Sequence, residues 1–211
     1  AHVPWMKPGQ RGYEDADLPS DVIKRLLYET GRSMLKSEGY EDIGMDHFAL
    51  PHDSILQAQR QAKLQRNFMG YTTTETELLI GLGCSAISDA KYAYAQNVKK
   101  VENYELSISD DTLAVVKGHV QTEHDLQLKK CILDVACQGK ITLENLSRLH
   151  EDSIVQALDI FRHEGILEPV EKGLQVTEMG RAFIRNICNA FDIRHRNHSH
   201  SATANLFSKA I

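Results

Sequence analysis

Cysteine is scarce and scattered in this chain. Four occur in 211 residues, Cys84, Cys131, Cys137 and Cys188, and none stands in CxxC or CxxxC spacing. A chain of this length with an ample core has no need of a disulfide framework. Reduced, mostly buried thiols are expected, with Cys84, next to Ser85, the one nearest a candidate ligand loop. No apolar run reaches about 18 residues, so no membrane-spanning helix is expected. No signal-peptide pattern stands at the start; with its reduced thiols, the protein is expected to be cytoplasmic. Basic excess is missing too: the net charge is −5, against the habit of general nucleic-acid binders. There is no internal repeat or low-complexity tract. There is also no initiator methionine. Ala1-His2-Val3-Pro4-Trp5 reads as the end of a strand entering a loop, so a preceding N-terminal part is expected.

What is present is ordinary globular material. The hydrophobic fraction is 42% and the charged fraction 25%, enough for a real core in one large domain or two small ones. Residues 8–18 lack periodicity and read as loop. Pro19 suits a first helical turn, and Val22, Ile23, Leu26, Leu27, Met34 and Leu35 form a helical stripe that stops at Gly39. Residues 40–45 read as a short strand, 52–65 as a polar amphipathic helix and 78–87 as a buried strand or tight strand–helix segment. Residues 92–97 read as extended, 98–105 as helix and 106–120 as turn and strand, with a domain boundary in that last stretch. The rhythm then changes. Helices are expected at 123–138, from the Thr142 cap to Leu149, and from the Asp152 cap to Gly165. A hairpin turning at Glu171-Lys172-Gly173 and a helix capped by Thr177 follow. Three helices, a two-stranded wing and a further helix make a winged-helix-like arrangement. The helix that would enter a DNA groove carries Asp152, Asp159 and Glu164 against Arg162. That acidic face repels phosphates and favours a packing role.

Two runs concentrate chemistry: Gly44-Met45-Asp46-His47-Phe48-Ala49-Leu50-Pro51 and Arg66-Asn67-Phe68-Met69-Gly70-Tyr71-Thr72-Thr73. Glycines, aromatics and polar groups packed between regular segments suit loops that approach a ligand. His47 follows a predicted strand. Asp46 next to it either orients the imidazole for acid–base work or joins it in a buried pair that fixes the loop. Lys7, Arg11, Arg60 and Arg66 are candidate partners for carboxylates, or else solvated surface charge. Tyr71-Thr72-Thr73-Thr74 and Ser85-Ala86-Ile87-Ser88 offer groups that hydrogen-bond a ligand or form turns. His195, His198 and His200 in the tail match no recognised metal spacing and read as a solvated segment.

These runs, with residues 81–88, Tyr94-Ala95-Gln96-Asn97, the helix near Gly180-Arg181 to Phe191 and Phe207-Ser208, resemble the oxygen-independent coproporphyrinogen III oxidases, a radical-SAM family of haem biosynthesis. The resemblance covers nearly the whole chain. It implies an α+β chain: residues 1–105 as the C-terminal part of a partial (β/α) barrel, and 106–211 as a mostly helical, winged-helix-like domain. It implies oxidative decarboxylation of two propionates of coproporphyrinogen III to vinyls, giving protoporphyrinogen IX. In that reaction a [4Fe-4S] cluster reductively cleaves S-adenosylmethionine, and the resulting radical takes a propionate β-hydrogen. Two positions carry over from the family, Ala1 and Ile87, as S-adenosylmethionine contacts. His47 and Asp46 are the catalytic candidates by their own placement and adjacency, and Arg11, Arg66 and Tyr71 the substrate candidates by residue type. The CxxxCxxC that holds the cluster is absent, so the cluster ligands belong to a missing N-terminal part, and this piece is expected to be inactive alone. The runner-up resemblance is to haem chaperones of the same superfamily; a winged-helix interaction module is the reading from another class.

Overall fold

Caps and glycines set where the segments begin and end in the computed structural model, which describes residues 7–194. Ala1, His2 and the His195, His198 and His200 tail lie outside the described residues. Two 3-10 turns, Pro8–Gly12 and Asp15–Asp17, lead to α1 (Asp21–Ser37). Ser20 caps α1 by accepting from the Ile23 amide, so Pro19 precedes the cap and is not in the first turn as expected. The expected apolar stripe is there but uncovered: Val22 is 77% exposed, Leu26 and Leu27 60% and Met34 64%. Ions fix the helix instead. Arg32 Nε donates to Asp42 at 3.1 Å, and Arg32 and Lys36 both reach Glu178.

β1 (Glu41–Gly44) and β2 (His47–Ala49) form a hairpin, with Asp42 opposite Phe48 and Gly44 opposite His47. α2 (Ser54–Arg60) starts where Asp53 accepts from the Ile55 amide. It ends sooner than the expected 52–65, because Ala62 turns left-handed (φ 56°). Gln65 already begins β3 (Gln65–Asn67), which pairs with β4 (Gly70–Thr72) around Phe68-Met69. Next come β5 (Ile87–Asp89), β6 (Ala93–Asn97), α3 (Val101–Ser109) and β7 (Val115–Val120), the strands ordered β5-β6-β7 in one sheet. The buried strand expected at 78–87 does not form. Leu78, Ile80 and Leu82 face solvent, and the stretch is irregular, joined to β5 by one bridge, Leu79 to Asp89. Gly81 explains the local path. A Cβ there would sit 2.7 Å from the Ile87 carbonyl, so only glycine allows this close approach.

From residue 122 the expected pattern holds closely. α4 (Glu123–Gln138) opens on a reciprocal Thr122–Asp125 capping box and stops at Gly139. β8 (Lys140–Thr142) leads into α5 (Leu143–Ser147), capped by Thr142. α6 (Asp152–His163) begins after Glu151, so Asp152 is its first residue rather than its cap. β9 (Leu167–Val170) and β10 (Gly173–Val176) make the expected hairpin, with β8 on the far side of β10. Thr177 Oγ1 accepts from the Gly180 amide, but the chain first winds as a 3-10 turn (Met179–Phe183) before α7 (Ile184–Phe191).

The core gathers around α4 and α7. Val135, Ile187 and Phe191 are fully enclosed, and Ile141, Ile154 and Leu167 pack with them. The same cluster continues to Ile43 on β1 and Leu56 on α2. The β6–β7 pairing also crosses position 105, so both sides of the expected boundary share a sheet and a core. The result is a mixed helix-and-sheet chain.

Candidate functional site

The β1–β2 turn is built from three consecutive positive-φ residues, Gly44 (124°), Met45 (47°) and Asp46 (67°). Gly44 is required twice over. Its φ disfavours any side chain, and a Cβ would lie 3.1 Å from Ile184 Cδ1 and from the Tyr71 hydroxyl. This turn presents His47. Its Nδ1 lies 2.8 Å from the Met45 carbonyl. A carbonyl only accepts, so Nδ1 carries the proton in the neutral ring and Nε2 keeps a lone pair. Nε2 lies beside Gly70, 3.9 Å from where a Cβ would stand there. Asp46 does not orient the imidazole. Its carboxylate meets Arg185 Nη2 at 3.1 Å, in an exposed pair on α7.

Beneath His47 lies a stack. The His47 and Tyr71 rings meet edge-on at 5.0 Å, and the Arg66 guanidinium covers the Tyr71 ring at 4.6 Å. The Tyr71 hydroxyl donates to the Ala136 carbonyl near the end of α4 (2.8 Å), and burial pushes its pKa well above the usual phenol value. Arg66 Nη1 is buried with no hydrogen-bond partner among the described residues. His47, Arg66 and Tyr71 are thus brought together. Arg11 lies apart in sequence, exposed on the Pro8–Gly12 turn. Arg60 is engaged by Glu41.

Ile87 belongs to a second construction. In the β5–β6 pair Ile87 faces Gln96 and Asp89 faces Tyr94, so all four side chains leave the same face. Phe68, from the β3–β4 turn, meets Tyr94 edge-on at 5.2 Å. Lys129 of α4 donates to Asp89 at 2.9 Å and lies 4.8 Å from the Tyr94 ring centroid. Burial alone would lower the Lys129 pKa; Tyr94 and Asp89 outweigh it, and the pKa is raised. The loop before Ile87 is stitched from several sides. Gln96 Nε2 donates to the Ser85 carbonyl, and Asn97 Nδ2 to the carbonyls of Gly81 and Gly83. The Tyr104 hydroxyl accepts from the Gly83 amide, and Ser88 Oγ from the Gly81 amide. The hydroxyl of Ser88 is therefore already engaged within the fold.

The cysteines are free thiols. Burial pushes Cys131 and Cys137 up to about 11 and Cys188 up to about 12, which keeps them protonated. Among the described residues no three His, Cys, Asp or Glu side chains are grouped to hold a metal ion, and no helix is long and apolar enough to cross a membrane. Lys129, Asp89, Arg185 and the Ala136 carbonyl escape sequence reasoning, since each meets its partner across distant segments. Tyr94 had a signal, the Tyr94–Asn97 run itself.

No protein-family model matches the chain. Curated proteins do. It is 34% identical to the oxygen-independent coproporphyrinogen III oxidase of Synechocystis and 36% identical to that of Escherichia coli, in each case over 100% of this chain and 47% of the relative. The solved coproporphyrinogen III oxidase (HemN) of Escherichia coli, described as a radical SAM enzyme, superposes with a TM-score of 0.84 at 35% identity. That match covers 92% of this chain and 46% of the other. The chain thus spans about half the length of these relatives. With identity running along its whole length and the same fold beneath it, the chain belongs to the family of oxygen-independent coproporphyrinogen III oxidases.

Proposed function

We propose that this chain is part of an enzyme that oxidatively decarboxylates two propionates of coproporphyrinogen III to vinyls, yielding protoporphyrinogen IX in cytoplasmic haem biosynthesis. The observation that carries the reading is the similarity over 100% of the chain to proteins bearing that name. In this reading residues 1–105 are the last part of a partial (β/α) barrel. Residues 106–211 are a helical, winged-helix-like domain; the succession α4, β8, α5, α6, β9, β10 supports that part. The face of α6 supports packing rather than nucleic acid, because Arg162 is tied to Asp159 and acidic residues remain around it.

The residues present do not suit the [4Fe-4S] cluster. Three of the four thiols are buried and protonated, so the cluster would be held by the remainder of the enzyme. S-adenosylmethionine is a better fit. Ile87 is half-buried on a strand face next to Tyr94, with the exposed Phe68-Met69 turn beside it, an apolar and aromatic edge for an adenosyl group. Ala1 is assigned a contact by position alone. When bound, this molecule supplies the one-electron chemistry that removes a propionate β-hydrogen.

The chain's own residues bind and orient. Arg66, whose Nη1 is buried without a hydrogen-bond partner among the described residues, is the first cation proposed for a propionate carboxylate, which would reach it as the guanidinium swings out from over Tyr71. Arg11 is the second cation proposed for a carboxylate. Tyr71 contributes its ring, as floor for His47 and Arg66, because its hydroxyl is engaged by Ala136. His47 offers Nε2 as a single acceptor at the turn, and Asp46 with Arg185 holds that turn in place. In the full-length enzyme, His47→Ala should lower kcat by about 10²-fold, in the range of a positioned acid–base group. Turnover equal to wild type would remove His47 from the site.

A further inference from the structure

We infer that Lys129 is a positioning residue that ties α4 to the strand carrying Ile87 and so sets the affinity for S-adenosylmethionine; this rests on the reading of Ile87 given above.

β5 is only three residues long, held by β6 on one side and by the single Leu79–Asp89 bridge on the other. Its placement therefore depends on side chains. Asp89 shares a face with Ile87, and its carboxylate is 22% exposed, so it needs a partner. Lys129 supplies one at 2.9 Å, itself 29% exposed. It comes from a rigid element, because Leu128 and Cys131 beside it are core residues of α4. The same ammonium lies 4.8 Å from the Tyr94 ring centroid, and Tyr94 in turn holds Phe68 edge-on. One cation thus joins β5, β6 and the β3–β4 turn. Ile87 lies on the first of these pieces, on the sheet face it shares with Tyr94. Removing the charge leaves the Asp89 carboxylate half-buried with only the Lys91 amide, at 3.1 Å, as a partner and no countercharge, so it turns toward water and takes the short strand with it.

The test uses the full-length enzyme and two readouts, equilibrium binding of S-adenosylmethionine and hydrogen exchange of the β5 amides. Lys129→Met should raise the Kd for S-adenosylmethionine roughly five- to thirtyfold. The β5 amides of this variant should exchange faster while those of α4 keep their protection. Lys129→Arg, which keeps the cation, should restore most of the affinity. A Lys129→Met enzyme that melts lower but binds S-adenosylmethionine as wild type does would overturn the inference and leave Lys129 a structural residue. Ile87→Ala separates the two levels of the argument. If it weakens binding while Lys129→Met does not, the positioning role alone is lost. If Ile87→Ala binds normally, the assignment of β5 to the ligand is lost, and the role of Lys129 with it. Should Lys129→Met fail to fold, Asp89→Asn, which removes the charge from the other end, takes its place with the same expected outcomes.

Discussion

Gly44 carries the plainest consequence at the scale of single residues. Its φ of 124° and the 3.1 Å approach of Ile184 and Tyr71 to a Cβ predict that Gly44→Ala destabilises the protein by about 2–4 kcal/mol, read from chemical denaturation. Tyr71→Phe is gentler. It leaves the Ala136 carbonyl without its phenol donor and should cost about 1–2 kcal/mol while keeping the ring under His47. Asp125 sets a pH dependence. Arg194 foremost, then Thr122 and His119, hold its carboxylate well below the usual range against the opposing pull of burial. Its folded pKa is thus lower than its unfolded value near 3.9. The stabilisation is complete above about pH 5 and is lost as pH falls below about 4. Asp125→Asn keeps the Thr122 cap but removes the charge that the Thr122 amide and Arg194 meet, and should lower stability at neutral pH by about 1 kcal/mol. The gap to wild type should narrow in acid, as melting curves across pH would show.

At the scale of elements, legibility followed local chemistry. Thr122, Gly139, Thr142 and Gly165 are caps and stops that act within one turn, and the helices around them fall where those residues place them. In residues 78–87 apolar content does not bring burial. Leu78, Ile80 and Leu82 have no partner surface among the described residues, and Gly81 and Gly83 bend the chain into an irregular path. The candidate site divides the same way. His47, Arg66 and Tyr71 lie in the two dense runs and meet in space. Adjacency suggests an Asp46–His47 pair, yet two successive left-handed residues, Met45 and Asp46, turn the carboxylate toward Arg185. No local pattern announces a contact such as Lys129–Asp89, which depends on how α4 docks.

For the whole molecule, most of the fully enclosed side chains belong to the α4–α7 region: Val135, Ile141, Ile154, Leu167, Ile187 and Phe191, with Ile43 the exception from β1. Expressed separately, residues 106–211 should therefore melt cooperatively, whereas 1–105 should not, as circular dichroism would show. In the separated piece β7 would lose its partner β6 and exchange its amides freely. A non-cooperative 106–211 would place the division elsewhere.

The uncovered stripe of α1 has a practical side. Val22, Leu26, Leu27 and Met34 give a well-ordered helix the character of a surfactant, oily along one flank and ionic along the other. The chain should cling to phenyl resin and brighten an apolar dye such as anilinonaphthalene sulfonate while still fully folded. Leu26→Glu with Leu27→Lys should abolish both behaviours and leave the melting point within a few degrees of wild type.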